Sequence, residues 1–421
     1  MKRVLSLAAA LAVMVGVAAC GSSSSSSSAT SASASNAAAT SGTASSQAAA
    51  GSCGTIPQQM PADPDGVLAK LPASVQGAYN LYPQAVHASA WSQWKPRHGP
   101  PYTVYFSPGN TDTPFIQEML ATFNSLKANS SVIGKVITQD SGNQLQTQIQ
   151  QLQQAIREKV DLIITLPLSP VAEATVLEAA GKAGIPVITP LNAAANPYVV
   201  GLDGNVILEG AKLAQGLVSA IGEKGNILDV HGIPGVPSDF QVFQGAADVL
   251  KNCPNVKTIG SVTGQFIPAV AKSATLEFLA SHPQPIAGAI QPGGMATGII
   301  QAFMQTGRTV PSVADQGATP GALAYWEQHK GSYKGVAVPI PPVTVGNATW
   351  NLALGLLAGR GIRITDILDS PVVITDANLS QWVQPGWSLS TALAFAPTPA
   401  SVPYYSSAYL SQFFSKPGSG S

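Results

Sequence analysis

The side chains best placed for chemistry in this sequence stand where apolar runs end. Gln291 follows the run 286–290, and Asp315 and Gln316 follow 310–314. Phe240 and Gln241 lie just beyond the glycine- and proline-bearing stretch 232–237. Amides and carboxyls at such ends either hydrogen-bond a polar ligand or cap the loops they begin. Covalent chemistry finds less support. The sequence has no GxSxG elbow, P-loop, GxGxxG or HExxH. His231 follows an apolar run but has no evident nucleophile to activate, and the five histidines are scattered without metal-ligand spacing. This pattern is that of a binding protein, not an enzyme, with no cofactor and no metal.

Cysteine and charge usage narrow the setting. Residues 1–19 carry Lys2 and Arg3, an apolar run over 4–17 and then Ala18 and Ala19, the order of a secretory signal peptide. The rival reading is a membrane anchor, for which this run is near the short limit. Val17-Ala18-Ala19-Cys20-Gly21 resembles a bacterial lipobox, in which Cys20 is lipidated and becomes the first mature residue. Residues 20–53 then form a Ser/Ala-rich tether that cannot bury enough apolar surface to fold. Cys53 and Cys253 remain, as one disulfide or two free thiols. Charged residues make up only 10% of the chain and the formal net charge is zero, so the surface offers no basic stripe for nucleic acid.

These groups need elements to hold them. The clearest unit is 160–189: an apolar strand over 160–165, a Pro-Leu-Ser-Pro turn, a helix over 172–183 and a second strand over 185–189. Continuous apolar strands joined by a helix make a right-handed βαβ crossover, with ligands expected beyond the strands' carboxyl ends, near 166–170 and 190–196. Strands at 102–107, 132–138 and 198–202 and helices at 113–126, 145–158 and 207–221 complete one block. A second has strands at 226–231, 258–262, 286–290 and 310–314, with helices at 239–251, 269–281, 296–306 and 321–329. A strand at 335–338, a helix at 345–357 and a late strand at 371–374 follow. Two such blocks argue for an α/β protein with two doubly wound parallel-sheet lobes; a single (β/α)8 barrel is the structural rival.

The chain resembles the bacterial solute-binding proteins of the ribose-binding, type I periplasmic-binding family, from 102 to about 374. The resemblance rests on Gly109-Asn110 with Pro114-Phe115, on 162–167 followed by a helix and 184–189, and on Asp203 ahead of Gly210. It rests also on Gln291 and Met295 around a double glycine, and on Asp315-Gln316-Gly317. It implies a three-strand hinge crossing near 203–205, 338–342 and 360–363. Lobe one would then be 102–203 plus 343–359, and lobe two 204–342 plus 360–379. A strap at 54–101 would precede them and an extension at 380–421 follow.

The resemblance implies a lipid-anchored monomer on the outer face of the cell membrane, or in the periplasm. It would close around a sugar or sugar-like neutral molecule and deliver it to an ABC permease with its ATPase; the alternative is a sensor that presents occupancy to a membrane receptor. Matched positions assign ligand contact to Asn110 and Phe115; the further candidates are Asp112 in the same loop, Asn192 in the loop after 185–189, Phe240 and Gln241 at a helix start, and Gln291, Asp315 and Gln316 at strand ends facing the expected cleft. Three departures imply a less charged pocket than a ribose site: no Arg within 238–241, Pro292 and Gly293 where Asn and Asp are usual, and Ile340 at a polar position. A deoxy sugar or polyol fits that change.

Overall fold

Leu162, Ile163 and Ile164 are all buried, although successive residues of a strand face opposite ways. Leu162 and Ile164 pack with Met119, Phe123 and Trp350, whereas Ile163 packs with Leu152, Val176 and Leu177. Helices therefore cover both faces of the sheet, which is why the strand reads as an unbroken apolar run. Full burial of each such side chain contributes about 1.5–3 kcal/mol.

The computed structural model describes residues 52–191 and 195–416. The signal sequence, Cys20, most of the tether and Asn192 lie outside the described residues. The chain enters through α1 (Ala73–Gln76) and a 3-10 turn at Gly77–Tyr79. It then alternates β1 (Tyr102–Ser107), α2 (Pro114–Ala128), β2 (Ile133–Thr138), α3 (Leu145–Arg157), β3 (Leu162–Thr165), α4 (Pro170–Lys182), β4 (Val187–Pro190) and β5 (Val199–Gly204). A second series runs α5 (Val206–Ala220), β6 (Gly225–His231), α6 (Pro237–Leu250), β7 (Val256–Thr263), α7 (Pro268–Ser281), β8 (Gly288–Gln291), α8 (Ala296–Gln305), β9 (Ser312–Gln316), α9 (Pro320–Gln328) and β10 (Val336–Val338). Last come α10 (Pro342–Leu357), β11 (Asp366–Asp369), a 3-10 turn at Leu379–Gln381 and α11 (Ser407–Ser411).

The strands form two open parallel sheets, β11-β5-β4-β3-β1-β2 and β10-β9-β8-β6-β7. Two open sheets exclude the single barrel and establish the two-lobed α/β architecture. Local signals set the boundaries. Ser169 caps α4 by accepting from the Ala172 N–H at 3.3 Å, with Pro170 in the first turn. Gly184, at φ +76°, ends the same helix in a conformation that favours glycine.

Sheet membership corrects one boundary. Residues 360–379 do not all belong to the second lobe, because β11 pairs with β5 in register Asp366↔Gly201 and completes the first sheet. The chain leaves that sheet after Asp369, and Ile374 bridges Ala337 in the other lobe. The third crossing is thus at 370–373, not 360–363. Residues 371–374 make only that bridge rather than a strand. The run 366–369 has an aspartate at each end, which masks its strand character. Asp366 is nonetheless buried, accepting from the Tyr82 hydroxyl at 2.6 Å and the Thr365 hydroxyl at 2.7 Å.

Segments flanking the lobes join them as well. Cys53 and Cys253 are disulfide-bonded, with Cα atoms 4.6 Å apart across 200 residues of sequence. The Asn205 amide donates to the Ala78 and Asn80 carbonyls at 2.9 and 2.7 Å, tying the N-terminal strap to the first crossing. Further along the strap, Trp91 and Trp94 donate to the Tyr198 and Gly184 carbonyls, as pins on the first lobe.

Candidate ligand-binding site

A cleft opens beyond the carboxyl ends of both sheets, where doubly wound folds bind ligands. From the first lobe, the loop after β1 supplies Asn110. Gly109 precedes it at φ +81°, and a Cβ there would meet Leu168 at 3.0 Å, so the turn favours glycine. Asn110 is nearly buried. It donates to Asn143 Oδ1 at 2.8 Å and accepts from the Asp112 N–H at 3.2 Å. Phe115, in the first turn of α2, meets Phe395 edge-on with ring centroids 5.8 Å apart.

From the second lobe, Gln316 at the end of β9 lines the cleft and donates to Glu209 Oε2 at 2.5 Å. Glu209 stands in the first turn of α5 and is buried. Burial pushes its carboxyl up to about 7, opposed by the bond from Gln316. Phe266 lies across Gly232 and Gly293, where added Cβ atoms would come within 2.1 and 2.5 Å of its ring. Leu166, Leu168, Ile233 and Ile340 complete much of an apolar wall. Among the described residues that line the cleft there is no Lys, Arg or His. No group of three His, Cys, Asp or Glu side chains is placed to hold a metal ion among the described residues.

A family model for the periplasmic binding protein domain matches residues 104–361. The chain belongs to this family. The xylitol-binding protein of Mycolicibacterium smegmatis is 26% identical over 247 residues, which span 58% of this chain and 68% of that protein. The ribose import binding protein of Bacillus subtilis is 22% identical over 232 residues, spanning 55% and 74%. In structure, an ABC transporter solute-binding protein from Thermobispora bispora superposes with a TM-score of 0.60 at 27% identity, over 68% of this chain and 89% of that one. The chain is accordingly a solute-binding protein of the periplasmic binding protein family, and not an enzyme.

Within this periplasmic binding protein, the expected contact residues separate into three groups. Asn110, Phe115 and Gln316 are brought together on the cleft wall. Gln291 and Asp315 are buried behind it rather than facing it. Gln291 donates to the Asp315 carboxylate and to the Gln316 carbonyl, and accepts from the Met295 N–H at 2.9 Å. Asp315 accepts from the Thr319 N–H at 2.7 Å, and burial pushes its carboxyl up to about 7. Both are used up holding the β8 and β9 ends, as loop-capping groups are. Asp112, Phe240 and Gln241 are not on this wall. Asp112 is exposed, and the other two line an adjoining depression between the lobes that shares Leu168, Gly204 and Val206 with the cleft. Sequence reasoning passed over Glu209, Phe266, Phe395, Tyr404 and Tyr405. Glu209 did leave a signal, as the one carboxylate in the run Val206-Ile207-Leu208-Glu209-Gly210-Ala211.

Proposed function

We propose that this protein captures a sugar or sugar-like neutral molecule between its lobes by hinge closure and hands it to the permease and ATPase of an ABC importer. It acts as a monomer on the outer face of the membrane or in the periplasm, anchored through lipidated Cys20. The observation that carries the reading is a pair of uncharged amides, one on each lobe, that line the same cleft. Asn110 comes from one lobe and Gln316 from the other, between apolar walls. Amides bond neutral hydroxyls without the counter-charge an ionic ligand needs, and a hydroxyl buried without a partner costs about 1–3 kcal/mol. The family membership and the sugar- and polyol-binding relatives support the same class.

The test is a thermal-shift and titration screen of sugars, polyols, deoxy sugars, nucleosides and amino acids. A ligand that binds only the folded chain raises Tm by mass action. A neutral polyhydroxy ligand should give the shift, and Asn110→Ala should weaken it about three- to tenfold, the worth of one hydrogen bond. A shift only with charged ligands would overturn the substrate class. Loss of labelled uptake on deletion would support import, whereas uptake that persists would indicate sensing.

A further inference from the structure

The C-terminal segment beyond the family match enters the cleft. After the turn at Leu379–Gln381 the chain has reached the second lobe, where Trp382 packs with Trp326 and Ile374. It then returns across the mouth. The Ala396 N–H donates to the Ala318 carbonyl at 3.1 Å on the second lobe, and Thr398 bonds Thr344 of α10 through their hydroxyls at 2.9 Å. Phe395 is thereby set between the lobes. Its ring meets Phe115 on one side, and on the other lies 3.2 Å from where a Cβ on Gly317 would stand. Farther on, Tyr404 and Tyr405 line the same cleft. The Tyr405 hydroxyl donates to the Asp203 carbonyl at 2.6 Å, and its N–H donates to Asp369 Oδ2 at 2.6 Å. Three aromatic rings from outside the 104–361 match thus line the binding cleft.

These rings change the balance of the site. Its polar groups are outnumbered by apolar ones, and two of them are already paired in part, Asn110 with Asn143 and Gln316 with Glu209. A free sugar bears hydroxyls around its whole rim, and closing this cleft on it would press several of them against Phe115, Phe266 and Phe395 without partners. A ligand with hydroxyls at one end and an apolar group at the other would satisfy both walls. Aromatic edges and faces favour a ring in that apolar position.

We propose that the C-terminal segment is part of the binding site and sets its specificity. Phe395, Tyr404 and Tyr405 form a subsite for an apolar group, so the cleft takes aryl or alkyl glycosides in preference to the parent sugars. This rests on the sugar-class reading and sharpens it. The experiment is isothermal titration of the full chain with phenyl glycosides of glucose, galactose, xylose and arabinose, each beside its free sugar. It is repeated on Phe395→Ala and on Phe395→Leu, which keeps apolar bulk for folding but removes the ring.

At least one phenyl glycoside should bind about tenfold tighter than its sugar, and Phe395→Leu should cut that ratio below about threefold. Equal binding of glycoside and sugar, or a ratio untouched in both variants, overturns the subsite while leaving the sugar-class reading in place. Binding of neither member of any pair overturns the subsite too. If the wider neutral panel also fails while a charged ligand binds, the sugar-class reading falls with it.

Discussion

Glu209 is buried in a cleft wall that is otherwise mostly apolar, and water no longer stabilises its charge. Its carboxyl therefore holds its proton up to about 7, against an ordinary value of 4.5 in the unfolded chain. Between those values the folded state binds more protons than the unfolded state, so stability falls as pH rises through that window and levels off above it. Glu173 and Asp315, both also pushed up to about 7 by burial, add to the same slope. Thermal melts should give a higher Tm near pH 5 than near pH 8. Glu209→Gln keeps an acceptor for Gln316 and should flatten part of that fall. A variant whose pH profile overlays the parent's would show that Glu209 is ionised throughout.

Helix α5, which sets the position of Glu209, packs against α6. Their crossing is so close that a Cβ on Gly210 would lie 2.0 Å from the Val242 carbonyl oxygen, and one on Gly245 1.8 Å from that of Ile207. Glycine in a helix costs up to about 1 kcal/mol relative to alanine. Alanine here would instead drive a methyl into rigid backbone, for which overpacking costs of about 1–3 kcal/mol are the guide. The clash should win. Gly245→Ala is expected to lower Tm and, by displacing α5, to weaken ligand binding. An unchanged or raised Tm, measured by circular dichroism, would mean that the helices separate without penalty.

At the scale of the whole molecule, the two lobes are joined by more than the three crossings. The strap is tied to the second lobe at its start, where the preceding Cys53 bonds Cys253 and Gln215 donates to the Gly54 carbonyl at 2.8 Å. Its Tyr79 and Tyr82 hydroxyls donate to Asp366 of β11 in the first sheet. The C-terminal segment makes a similar bridge at Ala396 and Thr398. Any hinge closure must carry both segments with it. Removing the disulfide, in Cys53→Ser/Cys253→Ser, should destabilise the chain by about 2–4 kcal/mol, chiefly by releasing a constraint on the unfolded state. Denaturant titration reads this directly, and a midpoint equal to the parent's would show that the strap docks without its covalent tie.

Local order decided which features could be read without coordinates. The runs 162–165 and 187–190 are apolar because both faces of a parallel sheet are covered, so periodicity and composition alone identified them and the α/β class. Asn110 and Phe115 follow β1 closely, and their place beyond its carboxyl end is a consequence of chain order. Pairings between distant segments carried no comparable signal. Whether Gln291 and Asp315 faced the cleft or each other depended on the turn that brings Thr319 and Met295 to them. The sheet that β11 joins was settled by its register on β5, more than 160 residues earlier in the chain. Likewise Phe395, Tyr404 and Tyr405 look like ordinary loop aromatics in sequence. Only the path of the C-terminal segment across both lobes puts them inside the cleft, because long-range packing, not local propensity, fixes where a loop returns.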